Sequence, residues 1–246
     1  MRSIRLFTDA PLEPGHTLTL PAPAAAHALR VLRLKSGDAV TLFNGDGHDY
    51  PARLVAASIR DVRAEVTSRA STARESPLQI TLIQALARGE KMDWIVQKAT
   101  ELGVARIVPV TTERSEVKLD AARGGKRLEH WRAVAIAACE QCSRNVIPAI
   151  EAPVELSAWL KTTQAPQAES RWVVHPDGTT HVRDLQAASQ GKMLLAIGPE
   201  GGFGASDLDA LHGAAFHGLS LGPRILRTET AGVVAIAALQ ALYGDL

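Results

Sequence analysis

None of the common nucleotide or nucleophile fingerprints occurs in this chain of 246 residues: it has no G-x-G-x-x-G, no Walker A and no G-x-S-x-G. Those absences steer away from dehydrogenases, NTPases and α/β-hydrolases. Aromatic residues make up only 4%, too few for stacking to be the main means of holding nucleic acid. Net charge is +1, so any RNA binding has to rest on a local basic patch. Long apolar runs are missing too. Residues 133–139 and 231–239 are the longest, well short of the roughly 20 residues of a membrane-spanning helix. No apolar h-region follows Met1-Arg2-Ser3-Ile4-Arg5, so the expected location is cytoplasmic, with no membrane partner.

Cysteine is scarce as well. Cys139 and Cys142 stand at C-x-x-C spacing, with no second pair and with His130 too far upstream to join them. A structural zinc site needs four ligands, so no metal is expected. The surrounding alanine-rich segment reads as helix, and the pair reads as two small residues on it.

What the chain does have is an ordinary globular composition, 46% apolar and 22% charged, and enough length for one large domain or two modest ones. The first seventy or so residues look β-rich, with strand patterns at 2–7, 17–20, 40–44, 49–57 and 61–68. Asn44-Gly45-Asp46-Gly47 is a turn signal between two of them. Pro11, Pro14, Pro21 and Pro23 argue against long helices there, and 27–32 reads as one short helix. Such a pattern suits a small barrel over residues 1–70. Residues 70–77 are polar and read as a linker.

From residue 77 to 246 the rhythm changes to strand (78–87), helix (91–102) and strand (104–110), a βαβ unit that implies a parallel sheet. A long helix is expected over 126–144, a strand over 172–174 and a helix over 182–188. Ser206-x-x-Asp209 resembles a capping box for 208–212. The last helix is expected from about Thr228 to Tyr243.

Two loops stand out. Gly198-Pro199-Glu200-Gly201-Gly202-Phe203 follows the apolar run 193–197, and Leu221-Gly222-Pro223-Arg224-Ile225-Leu226-Arg227-Thr228-Glu229-Thr230-Ala231 follows 219–221. Glycine-bearing loops at strand ends are how an open α/β sheet makes a small-molecule site. Pro199 fixes the chain, and Gly201 and Gly202 let a ligand approach the backbone. A plain connecting turn explains the first loop, taken alone, better than a binding role does. An N-cap and an early helix acid explain Thr228 and Glu229, but not the paired arginines.

Together the loops closely resemble the SPOUT class of methyltransferases, nearest to the ribosomal RNA small subunit methyltransferase E family. Asp93 to Val104 carries Lys98-Ala99-Thr100-Glu101-Leu102-Gly103-Val104, similar to that family's K-A-T-E-L-G-V. Glu140-Gln141-Cys142-Ser143-Arg144 with Pro148 is similar to its E-Q-S-G-R-x-x-x-P. Arg5-Leu6-Phe7, His27, Leu29 to Leu34 and Gly37-Asp38 resemble its PUA-like barrel. Cys142-Ser143 departs from the family's Ser-Gly, which bears on the local loop geometry. The resemblance covers nearly the whole chain.

That resemblance implies an α/β fold with an N-terminal PUA-like β-barrel and a C-terminal SPOUT domain tied in a deep trefoil knot. It implies S-adenosylmethionine as cofactor, 16S rRNA in the small ribosomal subunit as partner, methylation of N3 of one uridine, and a homodimer. The cofactor would be held by Ile197, Gly198, Pro199, Glu200, Gly201, Gly202, Leu221, Gly222, Ile225, Leu226, Arg227, Thr230 and Ala231. A sulfonium methyl is already activated and needs no metal. Uracil N3 carries a proton, so the site should supply a base or stabilise the anion with positive charge. Arg144 and Arg227 suit the second role, because their charge is permanent. Glu200 and Glu229 are candidates for the proton, provided burial raises the carboxyl's pKa, and capping is an equal role for Glu229. Arg5, Arg30, Arg33 and Lys35 in the barrel, Arg114, Lys118, Arg123, Lys126 and Arg127 around the long helix, and Gln141 and Arg144 are candidate RNA contacts. Ala231, Gly232, Ala235 and Ala238 form a small-residue helix face suited to dimerisation. Competing readings are a related enzyme acting on another RNA and a non-catalytic assembly factor.

Overall fold

The computed structural model describes residues 4–58, 61–116, 121–162, 170–185 and 191–246, without the side chains of 121–123. The chain divides into two units by contact density: residues up to 75 together with 136–147, and residues 76–135 with 148–246. The return of 136–147 to the first unit is absent from a division at 70 and 77.

The first unit is a six-stranded sheet. Its strands are β1 (Arg5–Phe7), β2 (Thr17–Thr19), β3 (Ala39–Phe43), β4 (His48–Ser58), β5 (Asp61–Val66) and β6 (Ala70–Ser71). The order is β1-β3-β4-β5-β2, with β6 on β4; β1 and β3 run parallel and the other pairs antiparallel. Among the described residues no pairing joins β1 to β2, so the strand path itself does not close. The residues expected to begin a linker, Ala70 and Ser71, pair with Asp49 and His48. The turn before β4 is made as its residues suggest: Gly45 and Gly47 have φ of 94° and 88°, and the Asp46 N–H donates to Asn44 Oδ1. One face of β5 buries Val62, Ala64 and Val66 against Leu6, Leu42 and Leu54. Each such buried aliphatic side chain contributes about 1.5–3 kcal/mol.

The expected helix at 27–32 starts earlier. Helix α1 (Ala22–Ala26) runs into a wider turn over His27–Val31. Pro23 does not break it, because proline in a first turn lacks only an N–H that has no helical partner anyway.

The second unit holds an eight-stranded sheet. Its elements are β7 (Gln79–Ala85), α2 (Lys91–Glu101), β8 (Arg106–Thr111), α3 (Ala121–Cys142, whose end belongs to the first unit), β9 (Ala149–Ile150), β10 (Val154–Glu155), α4 (Leu156–Lys161), β11 (Ser170–Val174), β12 (Thr180–His181), β13 (Lys192–Ile197), α5 (Ala205–Gly213), β14 (His217–Ser220) and α6 (Thr228–Tyr243). The order is β10-β8-β7-β13-β11-β14-β12, with β9 on β8, and every pair is parallel. Buried parallel strands read as unbroken apolar runs, and β13 is buried from Met193 to Ile197. Of the helix expected at 182–188, the described part is one 3₁₀ turn, Val182–Asp184; residues 186–188 lie outside the described residues.

The order places β13 between β7 and β11, while the chain reaches β8, β9 and β10 first. Direction along the sheet therefore reverses beside β13, and crevices at carboxyl ends of strands open at such points.

Candidate active site

Three neighbouring strands, β13, β11 and β14, send their C-terminal loops into one cavity of about 690 Å3. Residues 198–203, 174–177, 221, 222 and 224–228 line it, together with Lys91, Arg114, Ile197 and Ala231. Of the residues expected to hold a cofactor, Ile197, Gly198, Pro199, Glu200, Gly201, Gly202, Leu221, Gly222, Ile225, Leu226, Arg227 and Ala231 are brought together there. Thr230 is not in the lining. Its N–H is turned to the Arg227 carbonyl at 2.9 Å.

The first loop is held from several sides. Arg114 Nη1 donates to the Gly201 carbonyl at 3.0 Å, and Thr228 Oγ1 donates to the Gly198 carbonyl at 2.6 Å. Asp207 Oδ2 accepts the Gly204 N–H at 3.0 Å and the Glu113 N–H at 3.1 Å. Asp207 thus makes the cap of α5, in place of the expected Ser206/Asp209 pair; Ser206 instead donates to Glu113. Glycine is favoured at two points. Gly202 has φ of 69°, and a Cβ on Gly198 would meet the Phe203 nitrogen at 3.1 Å. Loop shape is therefore set before any ligand arrives.

Charge around the cavity is uneven. Lys91 Nζ lies 2.9 Å from Glu200 Oε1, which also accepts the Arg88 N–H at 3.2 Å. Burial pushes the Glu200 carboxyl up, but the bonds from Lys91 and the backbone outweigh it and leave the group below the ordinary carboxylate range. Glu200 therefore does not meet the condition set for a proton acceptor. Glu229 pairs with Lys91 at 3.5 Å and does not line the cavity. Arg224 and Arg227 are exposed and have no side-chain partner among the described residues. Arg227 is the N-cap of α6, where its carbonyl accepts from Thr230 and Ala231.

Other expected site residues lie in the first unit. Arg5 is 5% exposed, bonded to Asp49 Oδ1 at 2.9 Å and stacked 4.8 Å from the Phe43 ring centre. It is a core cation in a closed ion pair and has no surface to offer a phosphate. Arg144 is 4% exposed and held by Glu75 at 2.5 Å. Buried and neutralised in this way, Arg144 does not present its guanidinium as either the RNA contact or the anion-stabilising group expected from the sequence; its charge serves the ion pair with Glu75. Glu140 accepts the Phe7 N–H at 3.0 Å, and burial pushes its carboxyl up against that bond and the charges of His27 and Arg5. Arg30, Arg33, Lys35, Lys126 and Gln141 are exposed. Lys118 and the Arg123 side chain lie outside the described residues.

Ser143, where the family pattern has glycine, has φ of 73° and follows the end of α3. Its N–H donates to the Cys139 carbonyl, so the left-handed residue that closes a helix is present without the glycine that usually serves. Cys139 packs with Phe7 and Phe43, and burial pushes its thiol up to about 12. Among the described residues no cluster of three or more His, Cys, Asp or Glu is arranged to hold a metal. None of the described helices is long and apolar enough to cross a membrane.

Sequence reasoning left out Lys91 and the His175-Pro176-Asp177 segment. The latter had a usable signal, since it follows an apolar strand just as the two glycine loops do. Lys91 had none, because a pairing between residues more than a hundred positions apart leaves no local pattern.

A family model described as an RNA methyltransferase domain matches residues 74–240, and one described as an RNA methyltransferase PUA domain matches residues 20–67. The chain is 32% identical to ribosomal RNA small subunit methyltransferase E of Buchnera aphidicola subsp. Acyrthosiphon pisum, over 98% of this chain and 94% of that one. A crystal structure of the corresponding protein from Neisseria gonorrhoeae, bound to S-adenosyl methionine, superposes with a TM-score of 0.91 at 36% identity over the full length of both chains. A protein from Legionella pneumophila, solved in complex with the bound cofactor SAM, superposes with a TM-score of 0.94 at 39% identity, again over both full chains. This chain thus has an N-terminal PUA-like domain and a C-terminal methyltransferase domain, and it belongs to the ribosomal RNA small subunit methyltransferase E family.

Proposed function

We propose that this protein transfers a methyl group from S-adenosylmethionine to N3 of one uridine in the 16S rRNA of the small ribosomal subunit. The observation that carries the reading is the joint cavity of the loops after β11, β13 and β14. Its residues fit the cofactor. Backbone N–H and carbonyl groups line a space of the size that small-molecule sites have, about 300–1,000 Å3. Arg224 and Arg227 offer unpaired guanidinium groups for a carboxylate or for developing negative charge. Bound there, S-adenosylmethionine supplies an electrophilic methyl on a sulfonium. The protein's part is to orient the uracil, exclude water and steady charge as N3 gives up its proton. Arg227 serves that last role, with the N3 proton passing to bulk water; Glu229, outside the cavity lining and paired with Lys91, keeps its other reading as an early acid of α6. Ile197, Gly198 to Gly202, Leu221, Gly222, Ile225, Leu226, Arg227 and Ala231 hold the cofactor in this reading, and Thr230, outside the lining, does not.

The PUA-like domain, residues 1–70, brings the substrate, with the exposed Arg30, Arg33 and Lys35 against phosphates; residues 77–246 carry the chemistry. A deep trefoil knot fits the insertion of β13 between β7 and β11. A homodimer fits exposed apolar side chains at Ile225, Val234 and Leu242. The small face of α6 does not supply that surface, because Ala231, Gly232 and Ala235 are buried within the unit. The cytoplasm is where such a substrate is found.

Calorimetric titration with S-adenosylmethionine tests the cofactor site. Saturable one-site binding that Arg227→Ala weakens supports it, and no binding overturns it.

A further inference from the structure

Lys91 stands between two carboxylates from distant parts of the chain. Its nitrogen is 2.9 Å from Glu200 Oε1 and 3.5 Å from Glu229 Oε2. Glu200 belongs to the loop after β13 and Glu229 to the first turn of α6. Lys91 itself opens α2 and lines the cavity. Glu229 Oε2 is buried and makes no hydrogen bond, so the ammonium is its charged partner. The Arg88 N–H adds a second hold on Glu200 from the same segment.

We propose that Lys91 is a positioning residue of the cofactor site, tying the loop that carries Glu200 to the start of α6. The proposal rests on the S-adenosylmethionine reading above. An ammonium on a flexible stem has three donors and serves two carboxylates at once. The side chains of Lys91, Glu200 and Glu229 are 31%, 33% and 18% exposed, so solvent screens the cluster only in part. Both carboxylate oxygens lie within 3.5 Å of one nitrogen. Removing that nitrogen leaves two like charges close together with nothing between them, and their repulsion pushes apart the two segments that form the cavity walls. Glu200 is in this account an anchor, and the loop it anchors is the one whose backbone meets the cofactor. Hydrogen bonding to Glu200 also raises the Lys91 pKa, which keeps the tie charged throughout the neutral range.

A double-mutant cycle with Lys91→Met and Glu200→Gln tests the proposal. Affinity for S-adenosylmethionine is read by calorimetry, methyl transfer to unmodified small subunits by kcat and KM, and folding by Tm. Each single variant is expected to bind the cofactor about tenfold more weakly, with the double variant no weaker than the worse single. Lys91→Arg is expected to restore binding to within about threefold of wild type, since the charge and reach are kept. Tm should be nearly unchanged, and KM for the cofactor should rise more than kcat falls. Wild-type affinity in Lys91→Met, losses that multiply in the double variant, or no rescue by Lys91→Arg would overturn the proposal. Should Lys91→Met fail to fold, Glu200→Gln decides the matter by its own loss or retention of affinity. A wild-type protein that binds no S-adenosylmethionine overturns the functional reading and this proposal together, whereas wild-type binding with unaffected variants overturns only the proposal.

Discussion

The Thr228 hydroxyl donates to the Gly198 carbonyl at 2.6 Å and accepts from Gln84 Nε2 at 3.0 Å. One hydroxyl thus joins β7, the loop after β13 and the first residue of α6. Gln84 is fully buried, so its amide has no water to fall back on.

Replacing Thr228 by valine keeps the shape and removes the hydroxyl. The Gly198 carbonyl and one of the two Gln84 amide N–H groups then lose their partner, while the other keeps the Ala85 carbonyl at 3.0 Å; a buried group left unpaired costs about 1–3 kcal/mol. Urea denaturation at neutral pH should show that loss, together with weaker cofactor binding. Thr228→Ser should retain most of both. Equal stability of the valine variant and wild type would contradict the role given to this hydroxyl.

Ser143→Gly is expected to stabilise the protein. Ser143 sits at φ of 73°, in the left-handed region where a side chain is strained. Glycine removes that strain but loses more entropy on folding, so the expected net gain is about 0.5–1 kcal/mol. Chemical denaturation of the two proteins side by side checks it, and a destabilised Ser143→Gly would show that the hydroxyl makes up for the strain.

Asp49 governs part of the acid response. Burial alone would raise its carboxyl, but Arg5 and Arg74 hold it below the ordinary range. A depressed folded-state pKa contributes stability above the unfolded value, about 3.9 for aspartate, and that contribution disappears as pH falls through the folded value. Asp49→Asn should therefore cost about 3 kcal/mol or more at pH 7, because it leaves Arg5 buried without its counter-charge. The gap between variant and wild type should narrow below about pH 4. Urea melts across that range measure it, and a gap independent of pH would sink the argument.

Much of the fold is legible in the sequence because its signals are local. Apolar runs mark β7, β13 and β14, and helical periodicity marks α2 and α6 to within a residue or two. The short strands β6, β9, β10 and β12 carry no such pattern, since their pairing is decided by where longer elements bring them. The cavity loops are legible from glycine and proline, which act on the backbone directly. The roles of single charged residues are not. Arg5 and Arg144 look like any surface arginine in sequence, and only the positions of Asp49 and Glu75 make them core ion pairs. Glu200 reads as a candidate base until Lys91 is found beside it.

The central claim is methyl transfer to a uridine of the small subunit. The most direct measurement uses labelled S-adenosylmethionine and purified small subunits that lack their modifications, with the product nucleoside identified by mass spectrometry. The account predicts 3-methyluridine in 16S rRNA, lost with Arg227→Ala. Labelling of a different nucleoside or a different RNA, with the subunit left unmodified, would contradict it.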